Sequence, residues 1–421
     1  MRLMSSARRA VEWAKTALIA LLLVSAVLLG WQTGLFNDFF SPIADFVAGV
    51  PEPVPTTEAA RPLVIVITDE NGARYGVRYD TARRNAIYDS TRGIFSEALG
   101  SAAVPVEIGE DAWRAALRGA GVYFEYIRPV RLSVLDRWLD ARMPVLADDV
   151  TVRRIFVAFG EEWNRLYFQD EETGRFFEAE TASLAARVGD FGIHDPNGAV
   201  FAFETGVRAA ESAPFMLIMP GNMHRFARAA ATGSLEEQVD TVISTFGHEG
   251  EATRPYFDGQ GALVRFGTRF SVRAEPNGRT VYRRTGSLAE EAQHQLTECE
   301  MIERARVTVE TSIGETSGAA ELFFELFERN EDGSFSVTFG YYLAGGRVHM
   351  HEDGFAARIT FTAGTITEAE LHFRDFSFFP GEYTALLPEI QALAASGGEF
   401  MLSYSYMGLE RLDPVWARPG F

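Results

Sequence analysis

The chain of 421 residues has 39 Lys plus Arg against 58 Asp plus Glu, a net charge of −19, and 47% hydrophobic residues including 33 Phe and 13 Tyr. This composition buries a core and does not stay disordered, and its acidity argues against nucleic acid as a ligand, since gripping phosphates needs a basic surface. Lys15 is the sole lysine and Cys299 the sole cysteine, which rules out a Schiff-base or phosphate-loop lysine in the body, a Ser-x-x-Lys nucleophile, a disulfide framework and a CxxC zinc site.

Arg2, Arg8, Arg9 and Lys15 precede an uncharged apolar run over 16–31 (TALIALLLVSAVLLGW). At about 1.5 Å per residue it is slightly short for a hydrocarbon core of roughly 30 Å. Lys15 snorkelling inward, with Trp31, Leu35 and Phe36 in the outer interface, extends it. Residues 16–36 are therefore expected to be one transmembrane anchor, with 1–15 a cytoplasmic tail and the body outside. Arg8, Arg9, Lys15 and Trp31 set that topology. A cleaved signal peptide has the same order of charged and apolar parts, but the following GWQTGLFND offers no small-x-small cleavage site. Ala26-x-x-x-Gly30, and a weaker pair Thr16 and Ala20, form a small-residue face on which a second helix can pack closely.

Residues 37–61, with Pro42, Pro51, Pro53 and Pro55, read as a linker. A first α+β unit is expected over 62–206. It opens with a buried strand at 63–68 (LVIVIT), an Asn71-Gly72 hairpin turn and a return strand at 75–79. Helices follow near 80–99, 110–117 and 132–141, with strands at 121–127, 153–159 and 165–168, a turn at Gly174 and a closing strand at 199–203. A central unit, 207–285, opens on the capping box Ser234-x-x-Glu237 and continues into strands with turns at Asp258-Gly259 and Asn277-Gly278. A third unit, 286–421, repeats the opener Thr-Gly-Ser-Leu with a box at Ser287-x-x-Glu290. It is expected to hold a long helix to about residue 312, strands at 320–329, 334–343, 356–362, 366–373 and 400–406, and a helix at 381–395. The fold class is thus α+β: one transmembrane helix, then an extracytoplasmic body of about three mixed domains with antiparallel sheets.

Three stretches carry a likeness: the anchor with its trailing tryptophan (LLLVSAVLLGWQTG), the segment 243–282 with its Tyr-Phe-Asp-Gly turn and Tyr282, and 334–376 with its paired strands. In this order the chain resembles the YycH regulatory proteins of Gram-positive two-component signalling. The related YycI proteins share a similar terminal unit, while the length and the three-part body favour YycH. The resemblance implies a non-enzymatic regulator in the cytoplasmic membrane. It would associate with a YycI-like protein and a WalK-type sensor histidine kinase that controls the cell wall. It implies no catalytic residue and no cofactor. The acidity, the arginine bias and residues 62–205 depart from the family's pattern.

Other constellations point elsewhere more weakly. His349 and His351, with Glu352 and Asp353, place two imidazoles on one side of a strand, as a metal site needs, but no third ligand stands out. The sequence reads more simply as a hairpin tip. His194-Asp195 before Pro196-Asn197-Gly198 reads as a polar turn. Glu161-Glu162 and Glu171-Glu172 read as solvated loop carboxylates, not the spaced pair of a glycosidase. Cys299 reads as a small apolar filler. Phe323, Phe324 and Phe327, and Phe373, Phe376, Phe378 and Phe379, read mainly as core. A ligand-binding module with a partly polar pocket between domains, and a wall hydrolase, remain as alternatives to the regulator.

Overall fold

A computed structural model describes residues 56–143, 150–184, 188–191, 195–286, 296–349, 354–406 and 410–418. The anchor at 16–36, and with it Arg8, Arg9, Lys15, Thr16, Ala20, Ala26, Gly30 and Trp31, lies outside the described residues. No helix among the described residues is long and apolar enough to cross a membrane.

After a short helical turn, α1 (Thr56–Ala59), strands β1 (Val64–Thr68) and β2 (Arg74–Val77) form the expected hairpin, with Ile65 opposite Val77. Gly72 takes φ +78° at its tip, and the Asp69 carboxylate accepts from the amides of Asn71 and Ala73 at 2.9 and 2.8 Å. Helix α2 (Thr81–Gly100) is capped by Asp80, whose Oδ1 accepts from Arg83 N at 3.0 Å. Then come β3 (Val106–Ile108), α3 (Glu110–Ala116), β4 (Gly121–Arg131), α4 (Leu132–Leu139), β5 (Thr151–Ala158), β6 (Trp163–Asp170) and β7 (Phe176–Leu184). They build an antiparallel sheet in the order β2–β1–β4–β5–β6–β7–β3.

Both faces of that sheet are covered, which explains why β1 is apolar throughout instead of alternating. Ile65, Phe124 and Ile155 pack under α2, where Phe95 stacks on Phe124 at 4.6 Å. Val64, Tyr123 and Phe156 pack on the other side against Trp113 of α3 and the pair β8 (Val200–Phe201) and β9 (Leu217–Ile218). Burying one such large apolar side chain stabilises by about 1.5–3 kcal/mol, more than any exposed ion pair here can supply.

The second sheet has thirteen strands. Its elements are β10 (Met223–Ala231), α5 (Leu235–Thr245), β11 (Arg254–Phe257), β12 (Leu263–Phe266), β13 (Phe270–Ala274), β14 (Arg279–Arg284), α6 (Glu298–Val309), β15 (Glu321–Arg329), β16 (Phe335–Leu343), β17 (Gly346–His349), β18 (Ala357–Thr362), β19 (Thr365–His372), β20 (Arg374–Ala385), α7 (Glu389–Ser396), β21 (Met401–Tyr406) and β22 (Arg411–Ala417). The order is β11–β12–β13–β14–β19–β18–β16–β17–β21–β22–β10–β20, with β15 on β16, and every pair is antiparallel except β17 against β21. Helices α5 and α6 bury Val239 and Val242, and Ile302 and Val309, into one continuous core. The mixed α+β class with antiparallel sheets is as expected.

Two expectations change. Where a helix is expected at 381–395, β20 runs to Ala385 and only Glu389–Ser396 is helical. The β10–β20 register shifts between Arg225 and Ala227, and the bulge absorbs Pro380 and Gly381, the latter at φ +72°. Helix α6 begins at Glu298, capped by a box that the sequence reading passed over: Thr297 Oγ1 accepts from Glu300 N at 3.3 Å and Glu300 Oε2 from Thr297 N at 2.8 Å. The box at Ser287 and Glu290 lies outside the described residues. At Ser234 and Glu237 the box forms as expected.

Candidate functional site: a cleft between two sheets

Charged side chains join the first sheet to the second. Arg84 of α2 is fully buried and donates through Nη2 to both oxygens of Glu321 at the start of β15, at 2.5 and 2.6 Å. On β5, Arg153 meets Glu125 at 3.0 Å and grips Glu399, which precedes β21, while Arg154 reaches Glu171 at 3.1 Å and Glu399 at 3.6 Å. Burial alone raises the Glu399 carboxyl, but Arg153 and Arg154 outweigh it and hold it below the usual range. Arg131 pairs with Glu298 at 2.8 Å, and Trp138 Nε1 donates to Glu303 at 3.2 Å. Cys299 Sγ lies 3.5 Å from Ser133 Oγ, so the thiol is a half-buried filler between α6 and α4.

Beside this seam lies a cleft of about 790 Å³. One wall is the end of β4 (Arg128, Pro129, Arg131) with Thr151, Glu171 and Glu172. The other is β15 with the first turn of α6, β16, Phe355 and Arg358 of β18. Both facing strands are irregular there: the β4–β5 register breaks between Glu125 and Val130, and β15 bulges between Phe324 and Leu326. The bulge turns Glu325 into the protein. Its Oε1 accepts from Arg347 Nε at 2.7 Å and from Tyr342 OH at 2.8 Å, and its Oε2 accepts from Arg347 Nη2 at 2.6 Å. Gly340 makes the space: a Cβ there would sit 2.7 Å from Glu325 Cδ. Burial next to the Glu325 charge pushes the Tyr342 hydroxyl well above its ordinary pKa, so it remains a donor.

Pairing within the lining leaves arginine in excess. Glu325 is taken by Arg347 and Tyr342, Glu298 by Arg131 and Glu171 by Arg154, and Glu172 accepts from Thr151 Oγ1 at 3.0 Å. Burial raises the carboxyls of Glu171 and Glu298. Among the described residues, Arg128 and Arg358 have no carboxylate partner. Arg358 lies 4.2 Å over the Phe355 ring, with its Nε buried and without a hydrogen-bond acceptor.

The residues singled out by sequence fall elsewhere or take other roles. His349 ends β17, half-buried, and burial helped by Arg347 pushes it down to about 4; His351, Glu352 and Asp353 lie outside the described residues. Among the described residues no group of three His, Cys, Asp or Glu is placed to hold a metal ion. His194 lies outside the described residues and Asp195 is exposed, while Asn197 is structural: it pairs with both backbone groups of Gly76, at 3.0 and 2.6 Å. Glu161 and Glu162 are exposed, but Glu171 is no solvated loop carboxylate, since Arg154 draws it into the seam. Phe373 and Phe376 are core; Phe378 and Phe379 are half-buried and roofed by arginines, Arg225 lying 3.9 Å over Phe378 and Arg411 5.6 Å over Phe379. Sequence reasoning missed the seam arginines and the glutamates they hold. The available signal was the Arg153-Arg154 pair inside an apolar strand (TVRRIFVA) and two glutamates spaced along a Phe-rich one (ELFFELFER).

No sequence family and no curated protein matches the chain. Structure does find a match. The fold is that of YycH. The crystal structure of YycH from Bacillus subtilis superposes over 88% of this chain and 96% of its own, with a TM-score of 0.51 at 12% identity. The likeness to YycH read from the sequence therefore holds at the level of fold.

Proposed function

We propose that this chain is a membrane-anchored, non-enzymatic regulator of a WalK-type sensor histidine kinase that controls cell-wall homeostasis, acting together with a YycI-like protein. The observation that carries this reading is the likeness to the YycH fold over 88% of the chain. Residues 16–36 would span the cytoplasmic membrane with the N-terminus inside, leaving the two-sheet body outside. Regulation would be a population shift: contacts from the anchor and the body favour one kinase state over another, and a coupling of about 1–3 kcal/mol suffices. Ala26 and Gly30 would supply the close-packing face, with Thr16 and Ala20 a weaker pair. Replacing Ala26 and Gly30 by leucine is expected to reduce co-purification of the kinase severalfold with the body still folded. Undiminished recovery would move the contact from the anchor to the body.

The cleft favours a second reading, a ligand-binding module that senses a small molecule outside the membrane. Its volume lies in the range of small-molecule sites, and its walls belong to two different sheets. The two readings are compatible if the ligand alters the regulator.

A further inference from the structure

We propose that the cleft is an anion site for a small molecule bearing an aromatic or branched apolar group, with Arg128 and Arg358 holding the anion and Phe324, Phe327 and Phe335 the apolar part. The inference rests on reading the cleft as a ligand site and adds the ligand's chemistry. In a chain of net charge −19 an arginine excess at one place is a local construction, not a by-product of composition. Three of the four lining carboxylates, Glu325, Glu298 and Glu171, are held by other arginines and do not neutralise Arg128 and Arg358; Glu172, bonded only to the Thr151 hydroxyl, is exposed at the rim.

Arg358 carries the strongest argument. Its Nε is buried without an acceptor, so the guanidinium is left unsatisfied by the protein. Phe355 beneath fixes the guanidinium plane, so less rotamer freedom is lost on binding. Arg358 also stands opposite Thr338 on β16, which stands opposite Leu326 on β15, so the three share one face of the sheet. That row runs from cation through hydroxyl to an apolar side chain that is exposed beside the bulge. Arg128, Pro129 and Glu171 also line a smaller cavity of about 230 Å³ behind β4, which gives a longer ligand room to continue.

Isothermal titration of the full chain with phenyl phosphate, phenylacetate, inorganic phosphate and benzyl alcohol tests the assignment. One of the two aryl anions is expected to bind 1:1 and at least tenfold more tightly than inorganic phosphate or benzyl alcohol. Which one it is distinguishes a phosphate-bearing from a carboxylate-bearing natural ligand. Arg358→Gln and Arg128→Gln should each weaken it about tenfold or more. Arg128 makes no ion pair in the seam, so that variant carries the test even if the other fails to fold. Equal binding of benzyl alcohol and the aryl anions would overturn the anion assignment while leaving the cleft a ligand site. Binding indifferent to Arg128→Gln would likewise overturn the anion assignment, and absence of saturable binding by all four would overturn both. Neither result bears on kinase capture in membranes.

Discussion

At the scale of single residues, space and burial decide more than charge does. Gly340 is needed because the Glu325 carboxylate occupies the place of its missing side chain. Gly340→Ala is expected to displace that carboxylate from Arg347 and to cost about 2–4 kcal/mol by urea unfolding. The cost should shrink when Glu325 is already alanine; an undiminished cost in that double variant would mean that the methyl strains the backbone instead. His224 is a second case. It is buried edge-on to Tyr79 at 5.0 Å and Trp416 at 5.3 Å, and burial lowers it from 6.5 to about 4. Between those values the unfolded chain binds the proton and the folded chain does not, so stability falls as pH falls from 6.5 to 4, by at most about 3 kcal/mol. His224→Phe should lose less stability than the parent between pH 7 and pH 5. An identical loss in both would place the proton uptake elsewhere.

At the scale of elements, the sequence shows those strands and turns whose residues suit their local geometry. The run LVIVIT, the Asn71-Gly72 turn and the Ser234 box form where expected because each rests on short-range chemistry. Strand β10 (MHRFARAAA) is not legible, since its alanines favour helix; pairing with β20 and β22 makes it a strand. Strand β20 hides behind Pro380 and Gly381, which a bulged edge strand tolerates and a central one would not. The start of α6 is set by the Thr297 cap, ten residues after the Ser287-x-x-Glu290 pattern. Thr297→Ala should destabilise by about 1 kcal/mol and speed amide exchange over the first turn of α6. Unchanged exchange there would mean that the ion pair of Glu298 with Arg131, not the cap, holds the helix end.

At the scale of the molecule, the seam and cleft are assembled from residues far apart in sequence, which is why no local pattern discloses them. Arg84 and Glu321, or Arg153 and Glu399, become partners only once both sheets exist. The parity of β15 misleads as well: Glu325 and Phe324 would point to opposite faces of a regular strand, and the bulge between them resets the alternation. The division into helix-plus-sheet domains at 206 and 285 stands as a proposal, and β14 and β19 pair across residue 286 within the second sheet. Arg153, Arg154 and Arg84 tie the first sheet to the second. The proposed regulator biases a sensor kinase through its body and its anchor. Crosslinking of the full chain in native membranes, followed by identification of what is captured, tests it most directly. Recovery of a sensor histidine kinase together with a YycI-like protein is the predicted result. Capture of other partners with neither of these would contradict it.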